Sequence, residues 1–205
     1  ALSSLARRRR QIVTVFIAAG ALVFIALWAF ETSAGLIKPS DEWAYPLVIV
    51  FLCLNLLGVI ARPQLQPYAE LACYLVVAFY LVAQVALFAL GPPDQGIYDV
   101  ANTLQWMPAL YVAAFMFFPR RRAVVAVTVT FLLSSLALGI AALQASVSDD
   151  LRVSALLVNA VVAHLLTLLL LSLVTMLRTE YDRVARHARS MEDAARTDPL
   201  TGIAN

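Results

Sequence analysis

This sequence predicts an all-α integral membrane protein, a bundle of six transmembrane helices with a cytoplasmic helical extension, and three observations predict it. The first is composition: 62% of the 205 residues are hydrophobic and only 14% are charged, with a mean hydropathy of +0.83, whereas soluble domains carry about a quarter charged residues. The second is spacing. Apolar residues gather into six runs, at 11–30, 45–61, 69–90, 104–119, 123–144 and 153–177, each near the ~20 residues that cross a hydrocarbon core of ~30 Å as a helix. The third is the placement of positive charge, which falls almost wholly on alternate loops. This composition excludes disulfide scaffolds, collagen and disordered tails. Cys53 and Cys73 both sit inside apolar runs, so their spacing offers neither a disulfide framework nor a metal site.

Residues 1–10 read as a basic cytoplasmic N-terminus, with Arg7, Arg8, Arg9 and Arg10 ahead of the first run. A secretory signal peptide begins the same way, but its apolar region spans about 7–15 residues and ends at a small-x-small site, and neither feature is present. The arginines read instead as a topogenic signal that also suits anionic lipid heads. Residues 11–177 then form the membrane domain. Its runs are punctuated by Lys38-Pro39-Ser40-Asp41, Arg62-Pro63, Gly91-Pro92-Pro93-Asp94, Pro119-Arg120-Arg121-Arg122 and the segment 146–150. Pro46 is ordinary punctuation near a helix start. The fourth run is short and carries Pro108, which kinks a helix and frees a carbonyl, either for a ligand or as a tolerated defect.

Lys and Arg near span ends stay cytoplasmic. With the N-terminus inside, that side holds Arg7 to Arg10, Arg62, Arg120 to Arg122, Arg178, Arg183, Arg186, Arg189 and Arg196, which is 13 of the 15 basic residues. Only Lys38 and Arg152 fall outside, among the acidic Glu31, Asp41, Glu42, Asp94, Asp99, Asp149 and Asp150. Both termini are therefore expected in the cytoplasm. Trp28, Trp43, Tyr45, Tyr98 and Trp106 fall at the expected outer interface, where amphipathic rings anchor helix ends.

After Leu177 the chain becomes charged and free of Gly and Pro, so the sixth helix is expected to run on through residues 178–197 as a signalling helix. Leu177, Tyr181, Val184, Ala188, Met191 and Ala195 recur at alternating steps of four and three, an a/d seam. A seam that narrow calls for a partner helix, which gives a parallel homodimeric coiled coil. The competing reading is an amphipathic helix lying on the membrane, which Arg178, Arg183, Arg186 and Arg189 would suit.

Thr197-Asp198-Pro199-Leu200-Thr201-Gly202-Ile203-Ala204-Asn205 follows. It resembles the Asp-x-Leu-Thr-Gly-Leu-x-Asn signature that opens GGDEF domains, the catalytic domains of diguanylate cyclases, with Ile203 in place of the last Leu. Asp198, Leu200, Thr201, Gly202 and Asn205 match the family's turn between signalling helix and cyclase, positions that look structural rather than catalytic. The resemblance covers eight residues; without it, Asp198-Pro199 ends a helix and Gly202 makes a turn. It implies that residues 198–205 start a GGDEF domain and that the membrane part is similar to MASE-type sensor modules of the bacterial inner membrane. It also implies a longer parent that condenses two GTP molecules into cyclic di-GMP with magnesium. These 205 residues hold none of that family's catalytic loop, so no catalysis and no cofactor are expected of them.

Intramembrane carboxylates or lysines usually mark ion-coupled transport, and the centres of the runs contain none. No metal-spaced cluster, Ser-His-Asp set or Gly-rich phosphate loop occurs, and no nucleic-acid partner is expected. A thin polar set remains: Asn55, Tyr80, Gln84, Asn102, Gln105, Asn159, His164 and Thr167. Tyr80 and Gln84 share a helix face, as do His164 and Thr167. If the faces of Tyr80, Gln84, Asn102, Gln105, Asn159, His164 and Thr167 converge, they line a pocket for a small apolar or amphipathic signal. The competing reading is hydrogen-bonded packing between helices. His164 lacks a second strong ligand, so a haem or metal is not expected there. The leading function is a membrane sensory and dimerisation module controlling the cyclase; a ligand-free anchor and a small transporter are the alternatives.

Overall fold

In the computed structural model the chain is described over residues 2–91, 97–147 and 151–196, and within these it is helical with short connections. Seven α-helices follow in order: α1 (Leu2–Ala34), α2 (Pro39–Ala61), α3 (Gln66–Leu90), α4 (Ile97–Leu104), α5 (Met107–Phe117), α6 (Arg120–Val147) and α7 (Leu151–Arg196), with a single 3₁₀ turn at Pro63–Leu65. Among the described residues five helical stretches are long and apolar enough to cross a membrane, at Arg9–Ala34, Pro39–Ala61, Pro63–Leu90, Arg120–Ala145 and Arg152–Ala188. Lengths and apolarity of this kind are those of a membrane protein.

The breaks between helices follow from the residues at them. Gly35 ends α1 with a φ of 67°, a left-handed conformation that glycine adopts without strain. Leu36 N–H then donates to the Glu31 carbonyl at 2.9 Å and Gly35 N–H to Thr32 at 3.3 Å, the paired bonds of a Schellman cap. Pro39 opens α2 at its first turn, where no N–H is needed, and Asp41 and Glu42 follow in the same turn, where negative charge suits the helix dipole. Arg62-Pro63 ends α2 for the converse reason: the residue before proline is pushed out of helical geometry, and Arg62 is extended.

The fourth predicted span departs from expectation. Within 104–119 only α5 is helical beyond Leu104, the last residue of α4, from which Gln105 and Trp106 part it, and α5 with 11 residues reaches only ~16 Å. Pro108 accounts for the break: it has no N–H to give the Leu104 carbonyl one turn back. Trp106 N–H instead closes a tighter bond to Thr103 at 3.2 Å, and regular spacing resumes with Leu110 N–H on Trp106 at 3.1 Å.

The long helix α3 is the axis of the bundle, packed against α1, α2, α4, α5 and α6, while α7 lies along α6 and touches α5. Inward faces are narrow and rich in small side chains. On α1 they are Val13, Ile17 and Ala21, four residues apart, and on α6 Ala123, Val127, Thr130, Ser134, Ala137 and Ala141, the composition that lets helices approach closely where lipid gives no hydrophobic drive. Large aliphatic residues such as Leu54, Leu132, Leu136, Leu166 and Leu170 point outward, the inverse of a water-soluble core. The last helix continues as one rod of 46 residues, ~70 Å long. Leu177, Tyr181, Val184, Ala188 and Met191 are exposed along its far half; of the seam, Ala195 lies in the helix with its side chain outside the described residues. The positions carrying the GGDEF resemblance, from Asp198 to Asn205, also lie outside them.

Candidate functional site

Two polar clasps close the two ends of the bundle, with an apolar cavity between them. At one end α1, α2, α3 and α4 meet around two carboxylates that the sequence placed in loops. Glu31 is 3% exposed and Asp41 4%, and both belong to helices. Tyr45 donates its hydroxyl to Glu31 at 3.0 Å and Asn102 its amide to the other Glu31 oxygen at 2.8 Å. Gln105 in turn donates to Asn102 at 2.7 Å. Asp41 accepts from Tyr80 at 3.0 Å and from Gln84 by a short contact. Phe24 packs edge-on against the Tyr45 and Tyr80 rings, at 5.9 and 5.7 Å between centroids. A carboxylate in the last turn of α1 opposes that helix's dipole, so Glu31 owes its place to these donors.

At the opposite end Arg9 of α1 gives one Nη2 to Glu70 at 2.7 Å and to the Phe117 carbonyl, the last of α5, at 3.0 Å. Glu70, its side chain 3% exposed, also accepts from Gln66 at 2.6 Å. Arg9 thus satisfies a helix-end carbonyl that has no partner within its own helix and a buried carboxylate together. The broken pair α4–α5 therefore reaches between the same two ends as α1, joined to it through Asn102 and Glu31 at one and through Phe117 and Arg9 at the other.

Between the clasps lies a cavity of about 280 Å³, walled by α1, α2, α3 and the α4–α5 break. Phe16, Gly20, Val77, Leu110 and Ala113 form much of its wall, with Asp41, Tyr80 and Asn102 at the clasp end. Trp106, at the break, also lines it, and its indole Nε1 is buried without a hydrogen-bond partner. Such orphans are rare in native proteins.

The structure thus divides the polar residues singled out in the sequence. Tyr80, Gln84, Asn102 and Gln105 come together, and each gives a donor to Glu31, to Asp41 or to another of the set. Asn159 is exposed on α7, Thr167 back-bonds its own helix at Ala163, 2.9 Å away, and Asn55 likewise bonds Phe51 at 2.9 Å. His164 is buried against Tyr111, with ring centroids 5.9 Å apart and nearly perpendicular. Its ring lies toward the Leu104 backbone, whose carbonyl Pro108 cannot pair. The imidazole of α7 thus stands at the break in the α4–α5 rod, where a side-chain donor is one of the ways a proline is accommodated at membrane depth. His164→Leu is expected to cost about 1–3 kcal/mol by stranding that carbonyl, and His164→Gln less, because an amide also donates. Thermal unfolding in micelles, followed by helicity, checks this; equal midpoints for His164→Leu and wild type would refute it.

Tyr45 and Trp106, expected as interfacial anchors, are turned inward to the clasp and the cavity, whereas Trp43 is 77% exposed. The buried Glu31, Asp41 and Glu70 were not recognised as site residues from the sequence. Their one available signal was that each lies within a helix length of an apolar run and not in the middle of a loop. Among the described residues no three His, Cys, Asp or Glu side chains gather as metal ligands would.

Fold and site together define a helical membrane protein, a bundle clasped at both ends around an apolar cavity. Comparison with family models, with curated proteins and with solved structures gives no match.

Proposed function

We propose that this chain is a membrane sensory and dimerisation module of the bacterial inner membrane that regulates a diguanylate cyclase joined to its C-terminus. The observation that carries the reading is the continuity of α7, whose first half packs on α5 beside the break through the Tyr111–His164 ring contact and whose second half carries an uncovered seam. Repacking around the cavity moves the break, the break moves His164, and α7 passes the change as a rotation or register shift along the seam. Such a shift needs a two-state element, and a coiled coil weakened by Ala188 and Ala195 is one.

In this reading α4 and α5 together make a sixth pass, because they reach between the same clasps as α1. Both termini then lie in the cytoplasm, as the arginine distribution requires. Two chains pair through α7, and the domain that follows Asn205 binds GTP and magnesium and makes cyclic di-GMP across the dimer. The anchor reading has an observation of its own: Tyr80, Gln84, Asn102 and Gln105 each donate to a protein partner, as packing residues would. One experiment separates the two. Cyclic di-GMP formation is measured for the uninterrupted parent in nanodiscs, with one to seven alanines inserted after Tyr181. A regulator gives rates that vary with helical phase and recover at seven; rates indifferent to phase would leave an anchor.

A further inference from the structure

We propose that the cavity is a lateral binding site for a small, lipid-soluble molecule bearing one hydrogen-bond acceptor such as a carbonyl, and that this molecule enters from the bilayer. Its shape argues this first. Helix α1 and the α4–α5 rod are bolted at their ends by Arg9–Phe117 and Asn102–Glu31, while between the bolts both present small side chains to the cavity, among them Ala19, Gly20, Ala109 and Ala113. Ala19 and Ala109 also reach the outer surface, so they mark a mouth between the two helices. Ala19 is ten residues from Arg9 and twelve from Glu31, which puts the mouth ~15 Å from one clasp and ~18 Å from the other. A mouth at that depth opens on acyl chains and not on water.

Size and chemistry then narrow the occupant. The volume of about 280 Å³ lies just below the range of ~300–1,000 Å³ for small-molecule sites, which fits a compact ring or short chain better than a whole lipid. The walls are mostly hydrocarbon, and the charged groups Lys38 and Asp41 stand only at the clasp end, so a charged ligand seated between the clasps would give up its hydration against apolar side chains. What remains unmet is the Trp106 N–H. Protein encloses it, so an acceptor in the cavity reaches it once the indole turns. Because Trp106 forms the break itself, that turn bears on the Leu104 carbonyl and on His164. Gly20 completes the case for a site that tolerates an occupant: a Cβ built there meets no atom within 4 Å.

The inference rests on the membrane placement, and adds to the sensory reading the class of its signal. Its test reads binding on this chain alone, so it can fail while the cyclase reading stands, and the reverse. Benzophenone, an apolar photoreactive ketone, is titrated against the chain in nanodiscs, and labelled residues are mapped by mass spectrometry. Saturable labelling is expected at wall positions such as Val77, Leu110 and Ala113. Gly20→Leu should reduce it at least tenfold with no loss of thermal stability, since leucine favours a helix over glycine. Should Gly20→Leu fold poorly, Ala109→Phe at the exposed mouth makes the same block. Trp106→Phe should raise the half-saturating concentration about fivefold, the effect of one lost hydrogen bond. Labelling that is unsaturable, or equal in the blocked variants, overturns the proposal. So does unlabelled wild-type protein that retains a phospholipid through detergent exchange while Gly20→Leu does not, an outcome that gives the cavity to the bilayer's own tails.

Discussion

Arg9→Met is expected to destabilise the bundle by about 2–4 kcal/mol, with helicity followed through a denaturant titration in mixed micelles. Methionine keeps the apolar stem of the side chain and removes its charge and donors. Glu70, buried at 3%, is then left with the Gln66 amide, and the Phe117 carbonyl loses the Arg9 donor. Breaking a buried pair by deleting one partner costs about 3–5 kcal/mol. Arg9 is itself 55% exposed, and solvent screening on that side lowers the expected figure. Glu70→Gln should cost less, about 1–2 kcal/mol, because the amide oxygen still accepts. The double variant should fall well short of the sum, since residues in one network are not additive. An Arg9→Met protein within about 0.5 kcal/mol of wild type would mean that the clasp is a surface contact without structural weight.

That clasp also shows what hydropathy reading omits. Arg9 was legible as one of four arginines before an apolar run, and so as a marker of sidedness. Its second role depends on Glu70 and Phe117, which lie 61 and 108 residues away, and no local pattern encodes that meeting. Glu31 and Asp41 illustrate the same limit. Counting charges by loop sorts them as exterior acids, yet each sits within a helix and is buried, Glu31 under donors from α2 and α4 and Asp41 under donors from α3. The counting method measures which end of the bundle a residue occupies, and it has no term for whether the residue faces in or out.

The long helices were legible because apolar runs near 20 residues have few other solutions, and because Gly35, Pro39 and Pro63 act through local sterics alone. The fourth run was legible only in part. Pro108 announced a defect, but its size depended on what else could satisfy the Leu104 carbonyl, and that partner, His164, arrives from α7. Asn159 makes the complementary point. Counting residues at 1.5 Å each gives a depth in the membrane, whereas the direction a side chain faces follows from which neighbour its helix packs on. α7 touches α6 and α5, and Asn159 lies on the side away from them, while Leu157 and His164, seven residues apart, are buried.

The seven-residue recurrence leads to the far half of α7, where the largest change in behaviour is expected. Leu177, Tyr181, Val184 and Met191 are 61, 77, 66 and 62% exposed, and they fall on one stripe of a helix whose other residues are charged or small. A helix in water with one apolar stripe gains by pairing it, and the 4-3 spacing is the one that lets two parallel helices keep that stripe in contact. Replacing Tyr181 and Val184 together with Asp puts two carboxylates per chain into such a seam. Each would lose hydration in the pair at a cost of several kcal/mol and face its own copy across the interface. The dimer is therefore expected to be lost, its mass in micelles by light scattering halving after subtraction of detergent. Thr179→Asp, off the seam on the same helix turns, should leave the mass unchanged, which separates seam charge from helix charge. A double variant that stays dimeric would sink the coiled coil and return α7 to a helix lying along the membrane. In that case its seam faces lipid, and the exposed arginines, not a second chain, hold it in place.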